Sequence, residues 1–153
     1  ADARVMGDSL VALVYRVRMP DGVPARTDGV DIWVDDRLDE IGVNCAVAHE
    51  MVHIEYGHST LQSEAVEMAV RYETAKRLLP LDKIVGVCKN GKNLGSIARE
   101  LGVTKQVLMD RAATLTDEQA RVAGCMACHL CPAIQARYSG HPVGLRRPQM
   151  IAA

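Results

Sequence analysis

The spacing of hydrophobic positions changes along the chain, and each change predicts an element. From Leu10 to Arg18 and again from Val30 to Val34 the sequence is apolar and β-rich, with the turn dipeptides Asp21-Gly22 and Asp28-Gly29 ahead of the second run. This pattern predicts a small antiparallel sheet. From Val43 to Tyr56, Val47, Met51 and Ile54 recur at helical spacing with no Pro or Gly inside, which predicts a helix. A second helix is expected from Leu61 to Leu79, where Leu61, Ala65, Met68, Tyr72, Ala75 and Leu79 form a stripe for packing, with Val66 and Val70 as a second apolar patch. Pro80 opens a short segment that Lys89-Asn90-Gly91-Lys92-Asn93 interrupts. Beyond it, Leu94, Ile97, Ala98, Leu101, Gly102, Val103, Val107 and Leu108 fall where a helix-turn-helix places its core, with Gly102 in the turn. The expected fold is therefore α+β, with a compact domain of a small antiparallel sheet packed on helices over 1–80, a helical helix-turn-helix-like appendage over 81–138 and a tail over 139–153.

One constellation on the first helix specifies a chemistry. His49-Glu50-Met51-Val52-His53 sets two imidazoles four residues apart with a glutamate after the first. On a helix this spacing stacks both rings on one face, within reach of one tetrahedral Zn²⁺, and puts Glu50 beside them as a general base toward an activated water. A buried helix rarely carries two His and a Glu so close together unless they are paired or bind a metal. The expectation is a zinc-dependent hydrolase, with His49 and His53 as ligands and Glu50 as the catalytic residue.

A catalytic zinc needs a third protein ligand. The metzincin continuation would place Gly three and His six residues after the second motif His, whereas Gly57 and His58 come one residue off that register. A glutamate from the next helix is then the expected ligand, with Glu64, Glu67 and Glu73 as candidates. Glu64 and Glu67 lie on the same side of the stripe and Glu73 on the other, and periodicity does not choose between the first two. Tyr56 and His58 are expected at the surface or behind the ligands rather than as donors to a transition state.

The run Asp31-Ile32-Trp33-Val34-Asp35-Asp36-Arg37-Leu38, then Ala48-His49-Glu50-Met51-Val52-His53, Glu67-Met68-Ala69-Val70 and Ala75-Lys76-Arg77-Leu78-Leu79-Pro80, resembles the ImmA/IrrE family of bacterial and phage metallopeptidases. The likeness runs strongly over 29–80 and more weakly to Arg121. It implies a gluzincin that cuts a repressor-type regulator, itself often a helix-turn-helix protein, within a phage or mobile-element circuit. It also puts Glu67 on the third-ligand position, with Glu64 as the fallback. Zinc peptidases commonly hold an extended substrate along an edge strand, for which Ile32-Trp33-Val34 is the candidate here. The Trp33 side chain is itself expected in the core, because large aromatics are scarce in a chain with one Trp, four Tyr and no Phe.

The helix-turn-helix pattern would present Thr104, Lys105 and Gln106 to DNA. A net charge of −1, and acidic residues that balance the basic ones across 94–121, argue against the phosphate affinity DNA binding requires. The unit is expected to support the peptidase or to meet its protein substrate. Cys125, Cys128 and Cys131, with His141 and either Cys88 or Cys45, could form a second, structural zinc site, although the spacing matches no standard finger and such cysteines also pack as small hydrophobes. An odd count of five Cys, the lack of a signal peptide and the lack of a membrane-length apolar run lead to the expectation of a cytoplasmic protein without a membrane partner. The competing functional class is a regulator whose zinc domain binds or senses without much turnover. The presence of Glu50 favours the enzyme, since a purely structural site needs no general base.

Overall fold

The computed structural model describes residues 2–6, 10–85 and 93–123. Four strands, β1 (Asp2–Met6), β2 (Leu10–Val17), β3 (Ala25–Thr27) and β4 (Ile32–Asp35), form one sheet in the order β1-β2-β4-β3. Among the described residues six helices follow: α1 (Glu40–Glu55), α2 (Glu64–Leu78), α3 (Leu81–Ile84), α4 (Leu94–Glu100), α5 (Lys105–Ala113) and α6 (Asp117–Val122). The architecture is α+β. No helix among the described residues is long and apolar enough to cross a membrane.

The sheet is mixed rather than purely antiparallel. β1 and β3 run antiparallel to their neighbours, but β2 and β4 pair in parallel, Val14 opposite Ile32 and Val17 opposite Asp35. The reason lies in the two Asp-Gly turns. Gly22 and Gly29 both take positive φ, and the short β3 between them forms a hairpin with β4 that inserts β4 beside β2. Asp28 fixes the second turn by accepting from the backbone N–H groups of Val30 and Asp31.

This topology corrects two expectations. β4 is an interior strand, and the edge on that side is β3. Strand alternation sends Ile32 and Val34 into the core and leaves Trp33 half-buried on the opposite face, where it stacks on Tyr15 at 5.8 Å between ring centroids. A central strand covered by a helix on one face fills that face with β-branched side chains; the indole goes to the opposite face, beside Tyr15.

One apolar cluster joins the sheet to α1 through Ala12, Val14, Ile32, Val34, Val43, Val47 and Met51. The other joins Cys45 of α1 and Leu79 to Ile84, Ile97, Ala98, Val103 and Leu108. Side-chain caps set the starts of α1, α2, α4 and α5. Asp39 accepts from Gly42 N–H at 2.7 Å, Ser63 caps α2, Asn93 caps α4 and Thr104 caps α5. Gly102, at φ 70°, turns the chain between α4 and α5 as the helix-turn-helix pattern requires.

The buried face of α2 differs from the predicted stripe. Val70, Thr74 and Ala75 are buried, whereas Met68 is 42% exposed and Leu61, which precedes the helix, is 81% exposed. The helix is rotated so that Glu67 and Arg71 share the inward side with Val70 and Thr74, because the surface it meets is a polar cleft and not a continuous core.

Candidate metal centre

α1 presents His49 and His53 one turn apart, and α2 crosses it so that Glu67 faces both. His49 Nε2 lies 3.1 Å from His53 Nε2, and Glu67 Oε2 lies 3.3 Å from the first and 3.4 Å from the second. The three donor atoms thus form a nearly equilateral triangle. Tetrahedral ligands at roughly 2.0–2.1 Å from a zinc ion are separated by about 3.3–3.4 Å, so this donor set fits such an ion. Among the described residues, His49, His53 and Glu67 are the group able to hold a metal. Glu64, the fallback ligand, is exposed in the first turn of α2, and Glu73 instead pairs with Arg77 at 2.8 Å.

Glu50 sits beside the triangle and is 8% exposed. Burial, reinforced by the nearby Glu67 carboxylate and opposed by Arg26, raises its pKa to about 7. A carboxyl poised there can take a proton near neutral pH and give it back. His49 is held below the usual imidazole range, first by burial and then by the neighbouring His53. A neutral imidazole has a lone pair to offer a metal; an imidazolium does not.

The site lies in a cleft of about 640 Å³, a size suited to an extended peptide segment or a drug-sized ligand. Its walls come from distant parts of the chain. The edge strand contributes Ala25, Arg26 and Thr27; α1 and α2 contribute the triangle with Glu50 and Arg71; α5 and its cap contribute Thr104, Gln106, Val107 and Asp110. The start of the helix that a DNA-binding unit would offer to the major groove is here part of the cleft wall.

Three residues in this wall were not identified from sequence. Asp110 of α5 is buried, accepts two hydrogen bonds from Arg71 and accepts a third from Gln106 Nε2 at 2.8 Å. Arg71 follows Glu67 by four residues, a spacing that puts both on one helix face and was the available signal. Arg26 lies on a three-residue strand too short for a period to be read.

The cysteine cluster at 125–131, His141, Cys88 and the 139–153 tail lie outside the described residues. Cys45 is buried in α1, where loss of solvation raises its thiol pKa and contact with Thr104 opposes the rise. It serves the core as a small hydrophobe. Compared with protein-family models, with curated proteins and with solved structures, the chain matches none of them.

Proposed function

We propose that this chain is a zinc-dependent endopeptidase of the gluzincin type, with His49, His53 and Glu67 as ligands and Glu50 as general base. One observation carries the reading: three donor atoms at tetrahedral-edge spacing stand next to a buried glutamate in an open cleft. A structural zinc site is normally closed by four protein ligands, whereas three ligands leave one position for chemistry. Zinc bound there would supply Lewis acidity toward a carbonyl and toward water.

The residues of the chain divide the remaining work. Glu50 would accept a proton from the attacking water and pass it to the departing amine, which suits a carboxyl held near neutrality. β3, the sheet edge in the cleft wall among the described residues, would hold an extended substrate by strand addition, and Arg26 and Arg71 offer donors to carbonyl oxygens on that substrate. The resemblance to the ImmA/IrrE family supports a repressor-type regulator of a phage or mobile element as the substrate, in a cytoplasmic setting. The wall formed by α5 supports protein contact rather than DNA contact by the helix-turn-helix unit.

The test is zinc content of the wild type and of Glu50→Gln by elemental analysis, with cleavage of a repressor-type protein encoded beside the chain. Zinc in both and cleavage by the wild type alone is the expected result. No zinc in the wild type would refute the reading; zinc in both without cleavage by either would favour a binding module over an enzyme.

A further inference from the structure

α1 ends at Glu55, and the chain then doubles back on it. Tyr56 caps the helix, Gly57 takes φ 74°, and His58 N–H donates to the carbonyl of His53 at 2.9 Å. This reversal brings the His58 ring behind the second motif histidine, with His53 Nδ1 and His58 Nδ1 3.0 Å apart. The turn between β3 and β4 backs the same segment: a Cβ on Gly29 would meet Ser59 Cβ at 3.1 Å and the His58 carbonyl at 3.5 Å. Tyr56 places its ring edge-on to the imidazole at 6.0 Å between centroids. The position of His58 is thus fixed by the helix end, a hairpin turn and an aromatic neighbour.

Two proton placements satisfy the contact between the rings, and they differ in consequence. If His58 Nδ1 donates, His53 carries its own proton on Nε2, the atom that faces His49 and Glu67, and cannot ligate a metal. If His53 Nδ1 donates, Nε2 keeps its lone pair toward the shared position. We infer that His58 is a positioning residue that accepts the Nδ1 proton of His53, fixing that ring in the tautomer and orientation able to bind a metal. The inference rests on the metal-centre reading above. It gives the Gly57-His58 pair a role distinct from metal ligation: the pair lies one residue off the metzincin register, and its histidine stands behind the ligand. A histidine ligand whose outer nitrogen loses its partner typically loses about 10–100-fold in metal affinity.

The test is Zn²⁺ affinity by competition with a chromogenic chelator, together with the thermal midpoint of each chelated protein. His58→Phe keeps a ring and removes the acceptor; His58→Asn puts a carbonyl oxygen near the position of Nδ1. The expected result is a Kd raised by about 10–100-fold in His58→Phe and largely restored in His58→Asn, with metal-free midpoints close to the wild type. Wild-type affinity in His58→Phe would overturn the inference, as would equal weakening in both variants. If the wild type takes up no zinc, the metal-centre reading falls and this inference with it, whereas either of the other failures leaves that reading intact.

Discussion

Arg71 on α2 and Asp110 on α5 meet through two parallel hydrogen bonds, Nε to Oδ2 at 3.0 Å and Nη2 to Oδ1 at 2.6 Å. The pair ties the helix that carries Glu67 to the helix-turn-helix unit, and its two ends are unequally solvated. The Asp110 side chain is 3% exposed and that of Arg71 is 36% exposed. Arg71→Ala strands a buried carboxylate with only its remaining partners and should cost roughly 3 kcal/mol; Asp110→Ala leaves a guanidinium that water can reach and should cost roughly 1–2 kcal/mol. Urea unfolding of both variants checks the order, and a larger loss for Asp110→Ala would contradict it.

Exchange of the third donor should separate the two candidate glutamates. Glu67→Gln removes the carboxylate from the triangle and should lower zinc occupancy at least about tenfold, while Glu64→Gln, on the exposed first turn, should leave it unchanged. Metal analysis after dialysis against dilute chelator reads both. Loss in the Glu64 variant with retention in the Glu67 variant would mean that α2 sits in a different rotation.

The raised pKa of Glu50 makes a signed prediction about the metal-free protein. Its folded value, about 7, lies above its ordinary value of 4.5, so the folded state holds the proton more tightly. The associated stability is fully present below the ordinary value and is lost as pH rises through about 7. Glutamine mimics the protonated form. Chelated Glu50→Gln should therefore be more stable than the wild type by roughly 1–3 kcal/mol at pH 8, with the gain vanishing toward pH 4. Thermal midpoints at the two pH values measure this, and a gain independent of pH would rule out titration of Glu50 as its source.

Asp35 predicts the opposite dependence. The Arg37 guanidinium, bonded to both of its carboxylate oxygens, pulls its pKa from 3.8 to about 2 against the effect of burial. A depressed carboxylate stabilises the fold above its ordinary value, and that contribution disappears as pH falls through about 2. Asp35→Asn should be less stable than the wild type at pH 5 and approach it near pH 2. Urea midpoints across that range would show the two curves converging; parallel curves would refute the link.

Of the group able to hold a metal, the two histidines were legible because their signal is local, whereas Glu67 was singled out from Glu64 only by resemblance. His49, Glu50 and His53 lie within one helical turn, and the absence of Pro or Gly around them makes that helix readable. Gly102 similarly announced the turn between α4 and α5. Other features depended on contacts that no local period encodes. β3 is too short to show alternation, and without it the parallel pairing of β2 with β4 and the interior place of Ile32-Trp33-Val34 could not be seen. The inward face of α2 follows the expected stripe at Ala75 and Leu79 but not at Met68, because Arg71 looks like a solvent residue until α5 supplies its partner. Asp110 was hidden for the same reason, since a buried carboxylate reads as surface until its arginine, 39 residues earlier, is brought to it.

Cys45 precedes His49 by one helical turn and belongs to the same apolar cluster as Leu79, Ile97, Val103 and Leu108. The helix bearing the motif histidines is therefore held partly by side chains synthesised long after the motif itself. A nascent chain that has exposed His49, His53 and Glu67 but not yet α5 lacks both that support and one wall of the cleft. The cleft around His49, His53 and Glu67 is thus complete only once α5 has docked, late in the order of synthesis.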